Sequence, residues 1–192
     1  MAESTEETPS ADKRIYQLKI TLKGFSPKIW RRVQVPETTT LASLHNTIQA
    51  VMGWYNSHLH LFEIDGVTYG QPDPIYAEEF KNEKTARLSR VAPAVKKKFI
   101  YEYDFGDCWM HEILVEKILP RAPGEKYPVC IAGKRRCPPE DCGGIGGYTM
   151  LLETVSDPEN PDHEQMIEWI GASFNPDSFS VEIANMRLRR RT

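Results

Sequence analysis

No stretch of this 192-residue chain approaches the roughly 18 consecutive apolar residues of a membrane-spanning helix. A basic excess is also missing, since the formal net charge is −3. The first thirteen residues set Glu3, Glu6, Glu7 and Asp12 against Lys13 alone, which leaves 23 basic and 23 acidic residues in the remainder. A body of zero net charge excludes a broad DNA-coating surface, which displaces counterions with surplus Lys and Arg. Cysteine is sparse: Cys108, Cys130, Cys137 and Cys142 are all there are. In a chain of this size and expected cytoplasmic location they read as free thiols or metal ligands, not as a disulfide framework. The acidic opening Met1-Ala2-Glu3-Ser4-Thr5-Glu6-Glu7 has no apolar core and does not read as a secretory signal. There is no internal repeat, and no linker that would divide the chain.

What is present is globular. Apolar residues make up 40% and charged residues 27%, enough of each for one packed domain with a solvated surface. Residues 1–13 lack large apolar side chains and read as a disordered acidic tail, with a single domain over 14–192. Tyr16, Leu18, Ile20 and Leu22 alternate with polar residues, as in a half-buried strand. A turn at Gly24-Phe25-Ser26-Pro27 leads to a second strand through Ile29, Val33 and Val35, and the two strands should form a hairpin. Thr39 or Thr40 then caps a helix carrying Leu41, Leu44, Ile48 and Val51, stopped by Gly53. Leu59 to Ile64 and Val67 to Tyr69 make two more strands around the Asp65-Gly66 turn.

This order predicts an α+β fold built on a β-grasp-like hairpin-helix-strand-strand unit. Its mixed or antiparallel sheet is extended by strands at 98–103 and 109–119. Residues 70–94 read as a long connection and 120–147 as a loop of Pro, Gly and Cys. Helices are expected around Tyr148–Val155 and Met166–Ile170, with a last short one at Val181–Leu188.

Four blocks recur in order along nearly all of residues 15–190. They are Pro27-Lys28-Ile29-Trp30-Arg31-Arg32 with Leu44-His45 and Gly53-Trp54; His58-Leu59-His60-Leu61-Phe62; Tyr103-Asp104-Phe105-Gly106-Asp107-Cys108-Trp109-Met110-His111; and Cys137-Pro138-Pro139-Glu140-Asp141-Cys142-Gly143-Gly144 with Gly147-Tyr148. Together they resemble the plasmid pRiA4b ORF-3-like family. The resemblance implies an uncharacterised group carried on plasmids and chromosomes of bacteria and archaea. Some of its members are labelled resolvase-like passengers of mobile elements. Serine-recombinase chemistry does not transfer with that label, because it needs a nucleophilic Ser in an arginine cluster and a basic DNA-reading helix pair.

The chemically loaded residues lie in the third and fourth blocks. Asp104, Asp107, His111, Glu140 and Asp141 are the candidate catalytic set, expected to fold into one polar cluster. As a carboxylate site for Mg²⁺ or Mn²⁺ this set would serve hydrolytic or phosphoryl chemistry. Cys137 and Cys142, with four residues between them, could instead join His111 at a Zn²⁺ ion, which makes Cys137, Cys142, His111, Glu140 and Asp141 the candidate metal ligands. Each feature also has a plainer explanation. His111 shares its strand face with Trp109, Ile113 and Val115, as a core-edge histidine would. Asp104-Phe105-Gly106-Asp107 suits a tight turn. Gly143 to Gly147 opens a helix without the Lys-Ser/Thr of a phosphate loop, so close packing explains it as well. Trp30, Arg31, Arg32, Trp54, His58 and His60 form a second group, either core and rim aromatics or an aromatic-basic groove.

Three functions fit these features. The first is a binding or interaction module for a protein, peptide or nucleic acid. The second is a metal-dependent hydrolase or nuclease. The third is a nucleic-acid binder using Lys134-Arg135-Arg136 and the Arg-rich C-terminal segment.

Overall fold

Eight strands form one sheet in the order β5-β4-β3-β6-β7-β1-β2-β8. The computed structural model describes residues 13–71 and 80–191, so the expected acidic tail lies almost wholly outside the described residues. The first hairpin joins β1 (Arg14–Leu22) to β2 (Trp30–Pro36), antiparallel, with Leu18 opposite Val33. Tyr16, Leu18, Ile20 and Leu22 are fully buried along one face of β1, as their alternation requires. Helix α1 (Leu41–Met52) follows; Thr40 Oγ1 accepts from the Ser43 amide at its start, and Gly53 takes the left-handed conformation at its end.

The second hairpin, β3 (His60–Ile64) and β4 (Val67–Gly70), turns through Asp65 and Gly66, both at positive φ. These elements follow the expected order along the chain, but they do not pair as a β-grasp-like unit. Strands β6 (Lys98–Tyr103) and β7 (Trp109–Pro120) lie between the two hairpins, with β6 on β3 and the long β7 on β1. Both new strands carry fully buried residues on their inner faces, Tyr101 and Tyr103 on β6 and Trp109, Ile113 and Val115 on β7. Placing that hairpin mid-sheet buries more apolar surface than adding it at an edge.

Two further differences matter for the site. The 120–147 segment contains β8 (Val129–Lys134), which pairs antiparallel with β2 at the sheet edge. The connection after Gly70 contains β5 (Lys81–Asn82), which is parallel to β4 and makes the sheet mixed, and the short α2 (Leu88–Val91). Helices α3 (Gly144–Ser156) and α4 (His163–Ile170) pack together, while α5 (Val181–Arg191) packs on α1 and β8. No helix among the described residues is long and apolar enough to cross a membrane.

Candidate functional site

The β6–β7 turn begins the site. Asp104 sits at φ 60° and is nearly buried. Its Oδ1 accepts from the amides of Gly106 (2.9 Å) and Asp107 (3.3 Å), the bond pattern by which Asp holds a tight turn. That work occupies one oxygen. The other, Oδ2, lies 3.5 Å from His58 Nε2.

Against this turn folds the loop of residues 138–143. Asp107 Oδ2 accepts from the Gly143 amide at 3.2 Å, so the carboxylate at the start of α3 is supplied by the protein itself. A β-carbon on Gly144 would stand 2.5 Å from the Asp107 carbonyl oxygen, so the glycine run serves close packing of α3 on the turn. Docking of this loop brings Asp141 Oδ1 to 3.0 Å from His58 Nε2. His58, Asp104 and Asp141 thereby place one imidazole nitrogen and two carboxylate oxygens within 4.8 Å of one another.

Glu140 joins the cluster but faces inward. Its Oε1 accepts from the Tyr103 hydroxyl and its Oε2 from the Tyr55 amide at 3.2 Å. The same hydroxyl accepts from the Ser57 amide at 3.0 Å. Burial and the Glu140 carboxylate both push the Tyr103 phenol well above its ordinary range, so it stays protonated and keeps donating. Trp54 ties the layer together: Nε1 donates to the Pro138 carbonyl at 3.0 Å, and its ring lies 4.9 Å from that of Tyr103.

His111 lies beneath this layer. It is fully buried, edge-on to Trp54 and 5.5 Å from the Tyr101 ring. Burial holds it down to about 4, so it is a neutral core imidazole at physiological pH. It is outside the three-residue ligand group. Thus Asp104 and Asp141 meet at His58, Asp107 and Glu140 are engaged by the Gly143 amide and by Tyr103 and Tyr55, and His111 stands outside the group.

The thiols take no part either. Cys137 is buried and Cys142 partly so; burial pushes both up to about 12, with Asp107 adding to the effect at Cys142. No cysteine belongs to a metal-sized group among the described residues. His58, not His111, is the imidazole of the site. The four-residue spacing to Trp54, on the far side of the α1 stop, was the available signal. Of its former companions, His60 is buried, its Nε2 donating to the Glu83 carboxylate at 2.8 Å, and its ring stacks on His45 at 3.4 Å.

The cluster opens onto a cleft of about 570 Å³. Trp54, Tyr55, Glu140 and Asp141 line it together with Trp169, Phe174, Arg136 and Arg187. Tyr55 and Trp169 are exposed aromatics at its rim. The basic loop is divided: Arg135 pairs with Asp177, whereas Arg136 turns into the cleft over the Phe174 ring at 4.7 Å.

A family profile for plasmid pRiA4b ORF-3-like proteins matches residues 14–183. The chain belongs to the plasmid pRiA4b ORF-3-like family. Its relatives include the uncharacterized protein y4hQ of Sinorhizobium fredii, 40% identical over 160 residues that span 83% of this chain and 82% of that one. The crystal structure of a protein of unknown function, MM3350 from Methanosarcina mazei Go1, is similar throughout. It aligns with a TM-score of 0.83 and 41% identity, covering 89% of this chain and 97% of the other. The pRiA4b ORF-3-like domain of this chain is therefore a mixed α+β sheet domain of the same kind. No particular activity comes with that kinship.

Proposed function

We propose that this pRiA4b ORF-3-like protein is a binding module whose cleft takes its ligand beside a divalent cation held by His58, Asp104 and Asp141. The observation that carries the reading is the convergence of those three ligand atoms within 4.8 Å at the edge of the cleft. One imidazole and two carboxylates form a mixed nitrogen and oxygen set, which suits Mn²⁺ or Zn²⁺ better than the thiol-rich set expected from Cys137 and Cys142. Asp104 is fixed for the purpose, because its first oxygen is bound to the turn and its second is directed at His58. Such a cation would keep coordination positions for a ligand atom, and the exposed rings of Tyr55 and Trp169 offer flat surfaces beside it.

Metal-dependent hydrolysis, the enzymatic reading of the same residues, needs a free general base near the cation. Glu140 is the neighbouring carboxylate, and both its oxygens already accept hydrogen bonds. The arrangement therefore supports holding a ligand more than turning it over. Calorimetric titration of chelator-treated protein with Mn²⁺ and Zn²⁺ tests the proposal. One equivalent should bind to the wild type, and Asp104→Asn should weaken binding about tenfold or more, as loss of a charged ligand does. Absence of binding by the wild type, or equal binding by the variant, contradicts it.

A further inference from the structure

The C-terminal end of α1 faces a smaller cavity of about 200 Å³ that shares Met52, Arg136, Cys137 and Arg187 with the cleft. Arg31 lines its floor. Only 1% of this residue is exposed, and its guanidinium donates to three carbonyls: Nε to Val51 (2.8 Å), and Nη1 to Trp30 (2.9 Å) and Lys134 (3.0 Å). The guanidinium carbon lies 4.1 Å from the centre of the Phe179 ring. Nη2 makes no hydrogen bond to any described residue. Arg31 is thus locked in place with one donor group left over.

Two more cations share this cavity. Arg187, from α5, lies so close to the α1 terminus that a β-carbon on Gly53 would stand 2.3 Å from its Nη1. Arg136 reaches in from the loop after β8, stacked on Phe174. None of the three forms an ion pair with a described carboxylate. The nearby acids are engaged elsewhere: Asp177 with Arg135, Asp141 with His58, and Glu140 with Tyr103 and Tyr55. The α1 C-terminus supplies only about half a negative charge, and of the three guanidiniums only that of Arg31 is buried, Arg136 and Arg187 being exposed. Buried charge without a counterion is costly, and Arg31 pays that penalty visibly, its pKa lowered by burial with Arg187 adding to the effect.

We infer that this pocket binds the phosphate group of a phosphomonoester, with the guanidiniums of Arg31, Arg136 and Arg187 as its counterions. Guanidinium forks match phosphate oxygens in geometry and charge. Ser178 and Ser180 line the same cavity, the first donating its hydroxyl to the Asn175 carbonyl and the second accepting from the Ile183 amide. Because the pocket opens into the cleft, a phosphate seated here leaves the rest of its ligand directed along the Trp54 wall. The inference goes beyond the cation reading and stands without it.

The test is calorimetric titration with inorganic phosphate and with methyl phosphate, in chelator, at ionic strength held constant with chloride. Both probes should bind to the wild type, and Arg136→Gln and Arg187→Gln should each weaken binding about tenfold or more. Asp104→Asn should bind both probes as the wild type does, which separates this pocket from the cation cluster. Arg136→Gln and Arg187→Gln remove exposed side chains, so they keep the test alive where a change at the buried Arg31 would disturb the fold. No binding beyond that of chloride, equally tight binding of acetate, or unchanged binding in both arginine variants overturns the assignment.

Discussion

At the mouth of the cleft two carboxylates meet one imidazole; at its inner end three guanidiniums meet none of the described carboxylates. At the mouth Asp141 is exposed and His58 partly so, while His58 Nε2 itself is buried and makes no hydrogen bond among the described residues. At the inner end Arg136 and Arg187 are exposed, and Arg31 alone is buried, kept there by three backbone carbonyls and an aromatic ring. Both ends carry charge that a neutral partner would not need. The difference teaches that this cleft is polarised, with carboxylates and an imidazole at one end and guanidiniums at the other.

Trp54 stands between the two ends, and its removal should have the largest effect. Its ring contacts Tyr103, Trp109 and His111, and its indole nitrogen holds the loop that carries Asp141. Trp54→Ala should cost about 3–5 kcal/mol in urea unfolding. If the loop keeps its place without it, cation binding survives and the common wall is not what couples the ends.

Acid should come next. His111 is held at about 4 in the fold against 6.5 in a free side chain, so the unfolded chain takes up the proton first. The contribution is complete above about pH 6.5 and is lost as pH falls toward 4, by up to about 3 kcal/mol. Urea unfolding of the wild type and His111→Phe at neutral and mildly acid pH checks this. The variant should lose the pH dependence that belongs to His111, and equal slopes in both would place the acid sensitivity elsewhere.

Asp104→Asn should act at the mouth alone. Asn tolerates the positive φ at this position and keeps an acceptor for the turn amides, so thermal unfolding should move little. Cation affinity should fall by about tenfold or more. The smallest effect belongs to Arg135→Gln, which breaks an ion pair to the exposed Asp177. Stability should change by less than about 1 kcal/mol. Phosphate affinity should not change, which would distinguish the arginine pocket from a merely basic loop.

The sequence disclosed the local elements and hid their partners. Alternation at Tyr16–Leu22 and the Thr40 and Gly53 signals marked β1 and α1, because burial of one face and capping of helix ends are local demands. Insertion of β6 and β7 between the two hairpins left no such mark, since any strand with a buried face can pair with several others. At the site, the density of carboxylates in Asp104–Asp107 and Glu140–Asp141 pointed to residues that the fold does bring together. His111 misled because a histidine on an apolar strand face is consistent with a ligand until its burial is known. His58 was grouped with Trp54 and His60 and not with the carboxylates, because it sits in an irregular segment, where no periodicity says which way a side chain points. The arginine pocket was the least legible, since Arg31, Arg136 and Arg187 are brought together only by packing of α5 on α1 and β8.

The central claim is the cation at the mouth, and diffraction from crystals soaked in Mn²⁺, recorded near the manganese edge, tests it most directly. The account predicts one strong anomalous peak within bonding distance of His58 Nε2, Asp104 Oδ2 and Asp141 Oδ1, absent from crystals of Asp104→Asn. A site without a peak, with His58 still set between the two carboxylates, would contradict the account and leave those three residues as an ion-paired clasp between the turn and the loop.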